Sequence, residues 1–276
     1  MTEAVGANGA RRFVGKVAVV TGATADPSIG RAAATRLARE GAQVVINGRS
    51  PERIADAEAE MRAAGFDVAA VPGSMEDDDT AKRIVDKAIE RFGRIDVVIN
   101  TVGGSRGQFT PMVIDKHVLM DTISLNTWTS LSLVQAAMQA GLADGGGAVV
   151  NTSSGTVNKT TPSMIAYAAG KAALNAVTRT LARDLGAQGV RVNGVAPGLT
   201  RTSATRGMWE ADDGASVGAN VVLKRLTQAE DIANAMVFLA SDEAAGITGV
   251  VIDVDSGNHL MSGWSPVTQA TSGEGG

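Results

Sequence analysis

Thr21-Gly22-Ala23-Thr24-Ala25-Asp26-Pro27-Ser28-Ile29-Gly30 is the stretch that decides the fold. The residues leading into it, Val17–Thr21, are short, apolar and β-branched, and those that follow, Ser28–Glu40, are alanine-rich with charges at helical spacing. A strand that runs through a glycine-containing turn straight into a helix opens a βαβ unit. The turn lets the backbone approach a pyrophosphate, and the helix N-terminus supplies free N–H groups and positive dipole. A glycine pair also occurs in ordinary strand-to-helix turns. Its place on the first strand of an alternating pattern is what points to a dinucleotide.

Outward from this turn the same alternation repeats. Further strands are expected at Gln43–Asn47, Val68–Val71, Asp96–Asn100, Ala148–Thr152, Arg191–Ala196 and Val250–Val254. Several are apolar at consecutive positions, as in strands covered on both faces. Helices are expected between them at Pro51–Ala64, Asp78–Phe92, Ile114–Ala140, Tyr167–Leu185 and Ala229–Ala240. Ser50-Pro51 reads as a cap followed by proline at the first helical position, and Gly41 and Gly65 read as stops. Seven strands and six helices fit one α/β domain, a Rossmann-like, doubly wound, seven-stranded parallel sheet without a dividing linker. The expected layout is a flexible N-terminus over 1–14, the domain over 15–258 with a substrate loop at about 203–222, and a partly disordered tail over 259–276.

Composition removes several functions. The 276 residues carry a net charge of −4 and only 3% aromatic side chains, which disfavours both a phosphate polymer and single-strand stacking platforms, so no nucleic acid partner is expected. Zero cysteines remove disulfides, thiolate metal sites and cysteine nucleophiles, and two histidines, His117 and His259, make a metal centre a poor expectation. Both read as structural or surface residues. Arg11-Arg12-Phe13 resembles part of a twin-arginine export signal, but the apolar run behind it stops at Thr21-Gly22. No run approaches the roughly 20 apolar residues of a membrane span, so a cytoplasmic protein with no membrane partner is expected.

Tyr167, the only tyrosine, stands four residues before Lys171. Residues i and i+4 share a helix face, which brings an ammonium beside a phenol. A phenol titrates near 10, and matching it to neutral pH needs a shift worth about 4 kcal/mol. A unit charge about 4 Å away at an effective dielectric of about 20 supplies that amount. The bland alternative is a helix with a buried tyrosine and a snorkelling lysine.

These motifs together resemble the short-chain dehydrogenase/reductase family from Lys16 to about Asn258. Its loop is usually T-G-x3-G-x-G; here five residues follow Gly22 before Ser28 stands at the middle glycine's place, a variation similar to the enoyl reductase branch. Asn100-Thr101-Val102-Gly103 occupies the family's Asn-Asn-Ala-Gly position, and Ser154 lies 13 residues before Tyr167, the family's serine-to-tyrosine spacing. Ser153, its neighbour, reads as a polar strand end. Asn126 falls on the family's helix asparagine, and Pro197-Gly198-Leu199-Thr200-Arg201-Thr202 matches the proline-glycine segment after the sixth strand.

The resemblance implies an NADP(H)- or NAD(H)-dependent oxidoreductase of the carbonyl reductase or alcohol dehydrogenase type, acting on a small-molecule carbonyl or alcohol. In it Tyr167 donates the proton, Ser154 hydrogen-bonds the substrate oxygen, Lys171 lowers the phenol's pKa and holds the nicotinamide ribose, and Asn126 holds a water. The cofactor would be held by Gly22, Thr24, Ser28, Ile29 and Gly30 in the loop, by Arg49 and Ser50 after the second strand, and by Ser74 and Met75 after the third. Asn100, Gly103, Tyr167, Lys171, Pro197, Gly198, Thr200 and Thr202 complete that set. Gly104, Met164, Met208 and Trp209 are the substrate-lining candidates, and a homotetramer or homodimer is implied.

NADP(H) is preferred, because Gly48 stands where an NAD enzyme places an acid and Arg49 follows it; Asp26-Pro27 and Ser74 argue the other way. Two rivals remain: an enoyl reductase, whose tyrosine and lysine would stand seven positions apart, and a nucleotide-binding sensor without chemistry.

Overall fold

A computed structural model describes residues 11–261. Seven parallel strands form one sheet in the order β3-β2-β1-β4-β5-β6-β9. They are β1 (Val17–Val20), β2 (Gln43–Gly48), β3 (Val68–Pro72), β4 (Val97–Asn100), β5 (Gly147–Thr152), β6 (Val190–Pro197) and β9 (Val251–Val254). The consecutive apolar residues have the expected cause. In β1, Ala18 and Val20 point into one core and Val17 and Val19 into the other, all four without exposure.

The helices divide between the two faces. α1 (Ile29–Arg39), α2 (Pro51–Ala63) and α7 (Ala229–Ala240) cover the first core, where Leu37, Ile54 and Met236 are buried. α3 (Thr80–Phe92), α4 (Lys116–Gln139) and α5 (Ile165–Leu185) cover the second, around Ile84, Leu133 and Val149. Ser28 caps α1 by accepting from the Arg31 N–H at 3.1 Å, and Ser50 caps α2 with Pro51 in its first turn. These hydroxyls satisfy N–H groups that a helix start leaves orphaned.

Departures from expectation are local. α5 begins two residues early, at Ile165, with Met164 at its cap. The segment beyond β6 carries structure that no periodicity announces: β7 (Thr200–Arg201) pairs in parallel with β8 (Thr227–Gln228), and short 3-10 turns and α6 (Ala215–Ala219) lie between them. Arg12 and Phe13, expected to be flexible, are packed. Phe13 is 2% exposed, and the Arg12 guanidinium pairs with Glu40 and Glu243. The rest of the proposed N-terminal segment, 1–10, and nearly all of the proposed tail, 262–276, lie outside the described residues.

Candidate active site

Strand order reverses between β1 and β4, and the loops at the C-terminal ends of the strands part there to leave an open cleft. Its floor is the quoted turn. Gly22 has φ +70°, and a Cβ added to it would stand 2.5 Å from Thr101 Oγ1; one added to Gly30 would stand 2.5 Å from the Gly22 carbonyl oxygen. Only glycines let the turn fold this tightly. Ser28, by contrast, is extended (φ −150°), so its position does not need a glycine. Thr101 locks the floor: its hydroxyl donates to the Thr21 carbonyl at 2.6 Å, and its N–H reaches the Thr21 hydroxyl at 3.2 Å. Sequence reasoning passed over Thr101; its signal was the departure from a second asparagine.

Each later segment adds a wall. After β2, Asn47, Gly48 and Arg49 line the cleft, with Arg49 exposed and in no ion pair among the described residues. Gly73, Ser74, Met75 and Glu76 line it after β3, and Glu76 pairs with Arg106. Thr202 and Ala204 close the front. Between them, Ser203 donates its N–H to the Pro27 carbonyl at 2.8 Å, so the lengthened turn and the segment after β6 are clasped together.

The catalytic candidates meet behind Gly103, one of the lining residues. Ser154 follows β5, 7% exposed, and its Oγ accepts from the Thr156 hydroxyl at 3.0 Å. Tyr167 faces it from the first turn of α5. Burial pushes the phenol above its ordinary value, while a hydrogen bond with Ser154 pulls the other way. One turn on, Lys171 is 2% exposed and desolvation brings its ammonium down to about 7. Its Nζ donates to the Thr152 carbonyl at 2.7 Å and lies 5.8 Å from the tyrosine ring centroid. Burial sets the direction of the phenol's shift, and Lys171 is not among the groups that move it. A Cβ on Gly103 would stand 2.6 Å from Asn126 Oδ1 and 2.7 Å from Lys171 Nζ, so these groups converge on that glycine.

Asn126, with no exposure, accepts from the Gly104 N–H at 3.0 Å and donates to the Gly104 and Thr122 carbonyls, each at 2.7 Å. Its side chain pins the loop after β4. Beneath the site Asn100 turns inward, donating to Ser130 and Asn151, which in turn reaches Thr178. This buried network ties β4 and β5 to α4 and α5, and it removes Asn100 from the cofactor candidates. Ser153 bonds Asn175 as a polar strand end would.

The description "Enoyl-(Acyl carrier protein) reductase" belongs to the family model that matches residues 22–259. The chain belongs to the short-chain dehydrogenase/reductase family. It is 32% identical to "Dehydrogenase/reductase SDR family member 4" of Caenorhabditis elegans over 252 residues, covering 90% of this chain and 96% of that protein. It is 35% identical to "3alpha-hydroxysteroid dehydrogenase" of Mediterraneibacter gnavus, covering 87% and 95%. The solved structure of a short-chain type dehydrogenase/reductase from Mycobacterium ulcerans superposes with a TM-score of 0.84 at 32% identity, covering 91% and 92%. This short-chain dehydrogenase/reductase is thus an oxidoreductase of a family that uses NAD(P)(H).

The remaining candidates separate. Trp209 does not line the cleft: it is 9% exposed, donates its indole N–H to the Thr202 carbonyl and stacks under Arg201 at 4.4 Å. Aromatic character in a substrate loop suggested a wall, but the ring braces the loop from behind. Met208 beside it is exposed. Met164 pairs with Phe109 and lines a groove with Ala168 and Ala172, one position around α5 from the Tyr167 and Lys171 face. Pro197 and Gly198 stand beside Gly155, where an added Cβ would meet the Pro197 carbonyl oxygen at 3.3 Å; Gly198 also lies against Asp255, and Thr200 is in β7. Ser50 spends its hydroxyl on the α2 cap and on Glu52. His117 is exposed near Asp121, and His259 pairs with Asp255. Among the described residues no group of His, Cys, Asp and Glu gathers as a metal site, and no helix is long and apolar enough to cross a membrane.

Proposed function

We propose that the protein is an NADP(H)-dependent reductase of a small or medium apolar ketone, or the dehydrogenase of the corresponding secondary alcohol, with Tyr167 as general acid–base. The observation that carries this reading is that Ser154, Tyr167 and Lys171 gather behind Gly103, a lining residue of the cleft that Gly48 and Arg49 also line, with Lys171 Nζ 2.7 Å from where a Cβ on Gly103 would stand. The close-packed glycine turn and the start of α1 fit a pyrophosphate, and Arg49 fits a 2′-phosphate through its planar fork. Glu76, the acid lining that end, is neutralised by Arg106, and Asp26 faces a separate hollow between α1, α2 and α7. Neither acid opposes the phosphate directly.

When bound, the nicotinamide supplies or accepts the hydride. The chain's own residues manage the proton and the oxygen. Tyr167, protonated throughout the neutral range because burial raises its pKa, is ready to donate to a carbonyl oxygen that Ser154 also contacts. Alcohol oxidation requires the phenolate and therefore gains as pH rises. A carbonyl panel followed at 340 nm with NADPH tests the reaction: no turnover on any ketone would defeat it. The enoyl reading is disfavoured by the four-residue spacing from Tyr167 to Lys171.

The protein is proposed to act as a homotetramer or homodimer. Trp128, Met120 and Ile165 are exposed on α4 and α5, and among the described residues β9 leaves one sheet edge unpaired beside Val250. Gly170, in contrast, is spent inside the subunit, where a Cβ would stand 3.1 Å from Asn126 Cβ. A monomer mass near 28 kDa by light scattering would refute assembly.

A further inference from the structure

Gly48 ends β2, and its φ lies outside the left-handed region, so its backbone would accept any residue. What forbids a side chain is Thr24. A Cβ on Gly48 would stand 2.2 Å from Thr24 Cγ2, 3.1 Å from its Oγ1 and 3.2 Å from its Cβ. The Cγ2 contact is the severe one; the approach to Thr24 Cβ needs only a few tenths of an ångström of relief, so cutting residue 24 back to its Cβ would admit a side chain at 48. The turn cannot withdraw, because the neighbouring Ala23 N–H donates to the Asn47 carbonyl at 3.0 Å and Ala23 is fully buried. Thr24 itself is half-buried, lines the cleft beside Arg49, and makes no side-chain hydrogen bond among the described residues. The hydroxyl of Ser50, the other candidate at this end, is already committed.

We infer that Thr24 is the residue that sets cofactor choice: its methyl keeps residue 48 empty of the acid that would read a ribose 2′-hydroxyl, and its hydroxyl joins Arg49 in binding a 2′-phosphate. The hydroxyl half rests on the NADP(H) reading; the steric half does not. Position 48 alone therefore cannot convert the cofactor preference, because the carboxylate has no room until position 24 is cut back.

Two experiments test this. Thermal melts of the cofactor-free protein read the steric half. Gly48→Ala should lower Tm by at least about 3 °C through overpacking, and adding Thr24→Ala should restore most of the loss. Equal melts for wild type and Gly48→Ala, or no rescue by Thr24→Ala, overturn it. Calorimetric titration with NADP⁺ and NAD⁺ reads the choice. Thr24→Val, which keeps the branch and removes the hydroxyl, should weaken NADP⁺ about fivefold and leave NAD⁺ within about twofold. Gly48→Asp should weaken NADP⁺ at least tenfold without improving NAD⁺, and Thr24→Ala/Gly48→Asp should bind NAD⁺ at least tenfold tighter than Gly48→Asp does. An unchanged NADP⁺-to-NAD⁺ ratio in Thr24→Val overturns the hydroxyl's role, and tight NAD⁺ binding by Gly48→Asp alone overturns the gate. Wild type and Arg49→Ala in the same titration separate the underlying reading: a wild type that favours NAD⁺ defeats NADP(H) preference while the melts still decide the packing between residues 24 and 48.

Discussion

Two open hollows of about 1020 Å³ lie at opposite ends of the same sheet, and they differ in what their polar groups are doing. At the N-terminal ends of the strands, Arg12 is bound by Glu40 and Glu243, Asp96 by Arg94 and Lys16, and Arg191 by the last carbonyls of α7. Every one of these charges has a partner. At the C-terminal ends Arg49 and the Thr24 hydroxyl have none among the described residues. Size therefore does not distinguish a site from a gap between loops; uncommitted donors beside a helix start do.

Substitutions at the two ends should break in different ways. The largest effect is expected from Tyr167→Phe, which removes the proton donor and keeps the helix: turnover should fall at least about a hundredfold with cofactor binding nearly unchanged. More than about a tenth of wild-type turnover, with chemistry rate-limiting, would remove Tyr167 from its role. Arg49→Ala should cost NADPH about thirtyfold in kcat/KM, roughly 2 kcal/mol, and NADH less than about threefold. Equal losses with both cofactors would make Arg49 a surface residue like any other.

Lys171 sharpens the contrast through stability. Unfolded, it holds its proton to about 10.5; folded, only to about 7. Unfolding between those values takes up a proton, so stability rises with pH across that window and bears the full penalty below it. Lys171→Met should accordingly melt several degrees above wild type at pH 6 and lose most of that margin by pH 10. A pH-independent difference would mean that the ammonium is not desolvated as described.

The smallest effect belongs to the far hollow. Arg12→Ala should cost about 1–2 kcal/mol of stability and leave kcat/KM of the folded enzyme unchanged. Burial raises the Glu40 carboxyl, but hydrogen bonds from Arg12 and Arg36 outweigh it and hold its pKa below 4.5. That stabilisation is present above pH 4.5 and is lost as pH falls through the lower folded value, so variant and wild type should converge in acid. A loss of turnover in Arg12→Ala would abolish the distinction between the two ends.

The strands were legible because they are buried on both faces, which writes unbroken apolar runs such as Val17–Val20 into the chain. Helix starts were legible where a hydroxyl and a proline coincide, as at Ser50 and Pro51. Two-residue strands such as β7 and β8 carry no period to read. Among site residues, spacing brought Ser154, Tyr167 and Lys171 together correctly, since helix and strand geometry determine where they point. It misplaced Trp209 and Asn100, whose direction depends on partners distant in sequence, Thr202 and Arg201 for one and Ser130 and Asn151 for the other. Ser50 was assigned both a helix cap and a phosphate, and one hydroxyl serves only the cap and its neighbour Glu52.

The clasp between Ser203 and Pro27 joins the cleft's two lips by a backbone hydrogen bond of 2.8 Å. The segment after β6 is thereby tied to the turn that opens α1, and neither can shift without straining that bond. The width of the cleft between these lips is thus held by residue 203 as well as by the glycines of its floor.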